Sequence, residues 1–143
     1  MLSDFFANSG TEAIEASIKA VRGYQAAVGK PERHRIIGMS DSFHGRTIAA
    51  VAASGNPSYV QNFAPTDHGF DHIAWGDMAA LDVAITDNTA GVIVETVQGE
   101  GGIRRRPLQW EREKWGKKVM PSTFSQLLVK DWLPAEKIEK DVS

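Results

Sequence analysis

The stretch "GVIVETV", Gly91 to Val97, decides the fold. It is a short β-branched run interrupted only by Glu95, and it lacks the polar alternation of a strand with one wet face. That pattern fits a strand covered on both sides, as in a parallel sheet. Upstream of it the turn "TDNTA" follows a helical segment from Met78 to Ile85 with Asp77 as its cap. Further back, "RIIGM" at Arg35 to Met39 is a second short β-branched segment between turn-formers. From Glu12 to Ala27 the apolar residues Ile14, Ile18, Val21 and Tyr24 recur at helical steps, with alanines between them. An alanine-rich helix is expected around Thr47 to Ala53, and a long irregular connection over "SGNPSYVQNFAPTDHGFDH" before "IAWGD". Strand and helix therefore alternate from Asp4 to Val97, which implies an α/β fold with a mainly parallel sheet and flanking helices.

Composition narrows the function. The 143 residues carry a formal charge of -2 with acids and bases interspersed, so no electrostatic footprint for nucleic acid or a membrane surface is present. "RRRP" at Arg104 to Pro107 is locally basic and reads as an exposed turn or an anion contact. The chain has no cysteine, which excludes disulfides and thiolate chemistry and suits a reducing cytoplasm. No leader-like segment and no apolar run of membrane-spanning length is expected. His68 and His72 are four apart, but the glycine between them argues against a helical metal pair, and no metal is expected.

Three short motifs carry candidate chemistry. In "NSGTEAIEAS", Ser9 and Glu12 have capping-box spacing; alternatively, Gly10 lets an anion approach the amides of Gly10 and Thr11 at the positive helix end. In "SFHGRT", Phe43 can stack on a flat ring, and Arg46 can hold a carboxylate through its planar fork. His44 is either an acid or base, a packing group beside a cofactor, or a loop hydrogen-bonder. In "VETVQGEGG", Glu95 is an acid on an apolar strand that needs a partner, Gln98 offers an amide to a ring oxygen, and Glu100 lies on a glycine turn. Each motif alone is also explained by an ordinary turn.

Together and in this order, the motifs resemble the class III (subgroup II) pyridoxal-phosphate aminotransferases, most closely those of the acetylornithine type, over about Phe5 to Arg104. The resemblance implies part of the large domain of the fold type I transferase architecture, spanning residues 1–107. It implies that Ser9, Gly10 and Thr11 cradle the cofactor phosphate, that Phe43 stacks on the ring with His44 beside it, and that Glu95 and Gln98 lie near the ring and its phenolic oxygen. Arg46 would bind the substrate carboxylate and Glu100 would manage a substrate-side arginine. The implied reaction moves an amino group between N-acetylornithine and 2-oxoglutarate, in a cytoplasmic homodimer of arginine biosynthesis. Ornithine, succinylornithine and 4-aminobutyrate aminotransferases share the motif set and stay open as alternatives.

Two parts of the family pattern have no counterpart: the Schiff-base lysine and the aspartate that pairs with the pyridine nitrogen. Lys114, Lys117, Lys118, Lys130, Lys137 and Lys140 lack the small-residue turn of such a lysine, and Asp131 and Asp141 lack the strand. Residues 108–143 depart from the family, hold three of the four tryptophans and are expected to form two helices split at Met120 and Pro121. An isolated chain without the lysine would be inactive. Trp110, Trp115 and Trp132 leave a second reading open, a non-catalytic interaction protein. Missing neighbours would also leave "GVIVETV" with an exposed, aggregation-prone edge.

Overall fold

The computed structural model describes residues 6–63, 67–105, 119–121 and 125–129, the last two segments as backbone. Helix α1 spans Gly10–Ala27 and buries Ile14, Ile18, Val21 and Gln25 along one face, the stripe that the helical spacing prescribes. Strand β1, Arg35–Met39, coincides with "RIIGM". Helix α2 covers Ile48–Ala53, and α4 covers Met78–Ala84 with Asp77 capping it through the Ala80 amide at 2.8 Å.

The expected irregular connection is a correction. It contains a four-residue helix α3, Pro57–Val60, and strand β2, Phe70–Ile73. Four residues are too few for a period to show in sequence; β2 exists because it pairs in parallel with β1, Ile36 opposite Phe70 through Met39 opposite Ile73. Tertiary pairing here overrides a locally turn-like composition.

Strand β3 runs Thr89–Glu95, and all seven positions are buried. It also lies parallel to β1, with a register shift that skips Ala90: Arg35 faces Thr89, and Ile36 faces Gly91. The skip puts Ala90 on the same side as Ile93, three residues away, where strict alternation would oppose them. Accordingly Ala90 and Ile93 join Ile14, Ile18, Val21, Ile36 and Phe70 in the layer under α1 and α2. On the other face Ile37, Met39, Ile73, Val92 and Val94 pack with Leu81 of α4.

Val97 does not continue β3. It is exposed and begins β4, Val97–Gln98, which pairs antiparallel with β5, Arg104–Arg105. The strand β6, Val119–Pro121, and the strand β7, Ser125–Val129, replace helix at those residues. The main sheet has the order β2-β1-β3-β7-β6, with β7 antiparallel to both β3 and β6. The expected bare edge of β3 is therefore also corrected, because β7 pairs along it from Gly91 to Glu95 and satisfies backbone groups that would otherwise attract another chain. The remainder of residues 108–143, with the three tail tryptophans and the six lysines, lies outside the described residues.

Candidate cofactor and substrate site

The carboxyl ends of β1 and β3 face one another across two turns, the place where open α/β sheets bind ligands. The start of α1 joins them. Its Ser9 hydroxyl accepts from the Glu12 amide at 3.3 Å, and the Glu12 carboxylate accepts from the Asn8 amide at 2.7 Å, a reciprocal cap of the kind the spacing allowed. The helical ladder begins at the Ala13 amide, which donates to the Ser9 carbonyl at 3.1 Å. The amides of Gly10 and Thr11 precede it, at the positive end of an 18-residue helix. A side chain at Gly10 would meet nothing within 4 Å, so this end of the helix is open. The Glu12 carboxylate is turned back towards Asn8, away from the Gly10 and Thr11 amides.

The turn after β1 lies against that helix start. A Cβ at Gly45 would stand 2.3 Å from the Thr11 hydroxyl oxygen, and the backbone there has φ +125. Only glycine permits both the conformation and the approach. Just beyond, the Thr47 hydroxyl donates to Glu15 of α1. Phe43 is 38% exposed, and its ring meets Tyr59 edge-on, centroids 6.3 Å apart at 88°. Arg46 is exposed and makes no ion pair among the described residues. His44 is buried instead: its amide donates to the Ser54 hydroxyl at 3.2 Å. Burial, with His72 nearby, lowers its imidazole to a pKa of about 4, so it is neutral at pH 7.

The turn after β3 closes the arrangement from below. The Gln98 amide nitrogen donates to the Ser40 carbonyl at 2.7 Å and lies 3.4 Å from the Ser42 hydroxyl. A Cβ at Gly101 would fall 2.4 Å from the Gln98 carbonyl oxygen and 3.0 Å from that of Asp41, so this glycine lets the turn fold over the Gln98 side chain. Glu95 is buried, which raises its carboxyl to a pKa of about 7 against the opposing pull of the Phe43 amide and the Ser42 hydroxyl, with exposed Glu100 adding to the rise. One oxygen of Glu95 and the side-chain carbonyl oxygen of Gln98 are buried without a hydrogen-bond partner among the described residues.

All three motifs thus converge on residues 40–47. Four contributors escaped the sequence reading: Ser40, Ser42, Ser54 and Tyr59. The three serines sit in or beside turns and Tyr59 in the four-residue α3, where no period marks them. His68 and His72 do not share a helix; Gly69, at φ +80, separates a bend from β2.

The family model for class-III aminotransferases matches residues 3–113. The chain belongs to that family. Its members depend on pyridoxal 5'-phosphate and act on amino and keto acids. An acetylornithine aminotransferase of Brucella melitensis is 51% identical over 108 residues, 76% of this chain and 27% of that protein. Acetylornithine aminotransferase 2 of Caulobacter vibrioides is 55% identical over 106 residues, 73% of this chain and 26% of that protein. The chain thus spans about a quarter of the length of these relatives.

Solved structures agree. An (S)-enantioselective omega-transaminase from Thermomicrobium roseum superposes with a TM-score of 0.62 at 28% identity, covering 71% of this chain and 27% of that one. A Bacillus anthracis aminotransferase gives 0.64 at 27% identity, covering 72% and 28%. The fold is α/β, three parallel strands flanked by helices, matching class-III transaminases of fold type I. No helix among the described residues is long and apolar enough to cross a membrane.

The site suits a phosphorylated aromatic cofactor on its own chemistry. Open amides at a helix start fit a dianion, a partly exposed phenyl ring fits a flat heterocycle, and an unpaired guanidinium fits a carboxylate.

Proposed function

We propose that these residues form the phosphate-, ring- and carboxylate-facing part of an acetylornithine-type transaminase, acting between N-acetylornithine and 2-oxoglutarate in a cytoplasmic homodimer. The observation that carries this reading is the contact of Gly45 with Thr11 together with that of Gln98 with Ser40. Between them they bring three separate motifs to one turn.

Pyridoxal phosphate, when bound, supplies the electron sink for cleavage of a bond beside the amino group. The chain's own residues bind and orient. Ser9, Gly10 and Thr11 hold the phosphate through amides, hydroxyls and the helix end, charge-assisted contacts that contribute about 1.5 to 3 kcal/mol each. Phe43 covers one face of the ring, and His44 backs the turn from inside. Arg46 orients a substrate carboxylate, and Glu100, exposed on the opposite turn, faces the substrate side. Neutral and buried, His44 is no proton carrier at pH 7.

The isolated 143-residue chain is accordingly expected to bind the phosphorylated ring weakly and to transaminate nothing. Titration with pyridoxine 5'-phosphate, which lacks the aldehyde and cannot attach to surface lysines, should shift the Gly10 and Thr11 amide resonances. Unchanged resonances at millimolar ligand would refute the binding reading. An absorbance band from added pyridoxal phosphate that survives gel filtration and disappears with borohydride would refute the inactivity reading.

A further inference from the structure

The turn that carries Arg46 is fastened to α1 on both sides of the arginine. Thr11 and Glu15 are four apart, so they lie one above the other on one face of the helix. Gly45 lays its backbone on Thr11, where a Cβ would collide with the threonine side chain. Two residues on, the Thr47 hydroxyl donates to the Glu15 carboxylate. Thr47 is also the N-cap of α2, the position where a threonine hydroxyl ordinarily accepts from an amide of the first turn. Here it makes no such cap bond, although its carbonyl accepts from the Val51 amide at 2.8 Å. The side chain is therefore committed to α1 rather than to its own helix. Glu15 makes no ion pair among the described residues, and neither does Arg46, so the guanidinium is not taken up by this acid.

We propose that Glu15 and Thr47 are positioning residues for carboxylate recognition: their hydrogen bond, with the contact of Gly45 on Thr11, holds the backbone of Arg46 in place beside the phosphate-facing start of α1. The inference rests on the proposed transaminase site and adds to it two residues that act through Arg46. A tether at Gly45 alone would leave the turn free to pivot about Thr11. The second tether, about one helical turn along α1, removes that pivot. A guanidinium on a long side chain gains from this, because each backbone excursion at its Cα is added to its own rotamer freedom, and an anion contact must offset the ordering of both. The spacing of phosphate and carboxylate subsites is then set by α1 itself, since Gly10, Thr11 and Glu15 belong to one helix.

The test uses the full chain, with Thr47→Val and Glu15→Ala to break the bond and Thr47→Ser to keep it. Without ligand, NMR nitrogen relaxation reads the order of the Gly45, Arg46 and Thr47 amides. Two probes are then titrated: pyridoxine 5'-phosphate, which has no carboxylate, and N-(5'-phosphopyridoxyl)-L-alanine, a reduced adduct that carries one and cannot attach to lysine. The parent should bind the second probe roughly tenfold tighter, the gain from one charge-assisted contact. Thr47→Val and Glu15→Ala should lower the order at Arg46 and shrink that preference to about threefold or less, with pyridoxine 5'-phosphate affinity near the parent's; Thr47→Ser should restore both order and preference. Variants that weaken the two probes alike would show a merely structural role and overturn the proposal. Parent-like order at Arg46 in both breaking variants would overturn it too, as would an undiminished preference despite lost order, or equal affinity of the parent for the two probes. If the parent ignores both probes while the order series behaves as expected, the tether stands and the transaminase reading falls.

Discussion

Glu95 and His44 should make opposite contributions to acid stability, and removing one should expose the other. Both side chains are buried, at 6% and 3% exposure, His44 the more deeply, so the Glu95 contribution takes the larger discount for solvent screening. Glu95 is raised from 4.5 to about 7, chiefly by burial. Between those values the folded state holds more protons than the unfolded one, so its contribution to stability is full below pH 4.5 and is lost as pH rises to 7. His44 is lowered from 6.5 to about 4, first by burial and then by His72. There the unfolded state holds more protons, and stability is lost as pH falls through that window. At about 1.36 kcal/mol per pH unit the His44 contribution is ~3 kcal/mol and that of Glu95 is smaller. They oppose one another in the parent chain, whose urea-unfolding free energy should therefore change less between pH 7 and pH 4.5 than that of a variant lacking one of the two. Glu95→Gln keeps the acceptor and removes the proton, so it should be more stable than the parent at pH 7.5 and should lose ~3 kcal/mol on acidification to pH 4. Urea titrations followed by circular dichroism at four pH values read this directly. A Glu95→Gln variant with the same pH profile as the parent would refute the buried, proton-linked state of Glu95.

Other substitutions separate support from contact. Gly45→Ala should cost about 2 to 4 kcal/mol in the same assay, because it combines a positive-φ strain with a collision against Thr11. Ser9→Ala should cost about 1 kcal/mol through loss of the cap at Glu12. Phe43→Ala should leave stability within about 1 kcal/mol, since the ring is partly exposed, yet weaken pyridoxine 5'-phosphate binding several-fold as read from Gly10 shifts. Asp71→Asn, which loosens the Arg35 pair at 2.7 Å at the opposite end of the sheet, should cost under about 1 kcal/mol and leave ligand shifts untouched.

Helix α1, β1 and α4 were legible because each has an intact local signal: a 3.6-residue stripe, a bounded β-branched run, and an aspartate ahead of an alanine-rich segment. Strand β2 was not, because "FDHI" owes its state to β1 rather than to itself. The bulge at Ala90 was invisible for a related reason, since register belongs to a pair of strands and a single sequence records only one of them. The same holds for the end of "GVIVETV". Its composition runs on to Val97, but the chain leaves the main sheet after Glu95 and pairs with Arg105.

The site follows that logic one level up. Residue types revealed which side chains could touch an anion, a ring or a carboxylate, and the structure sets Thr11 of α1 against the turn that carries Phe43 and Arg46. What the types could not reveal is the direction in which Glu95 and Gln98 spend their hydrogen bonds, since an amide suited to a ring oxygen is equally suited to a carbonyl on the neighbouring loop. Burial separates the two: a side chain with no exposed surface, whose donor sits 2.7 Å from Ser40, works for the fold first. In this turn the Gln98 amide holds the Ser40 carbonyl, three residues ahead of the partly exposed Phe43 ring.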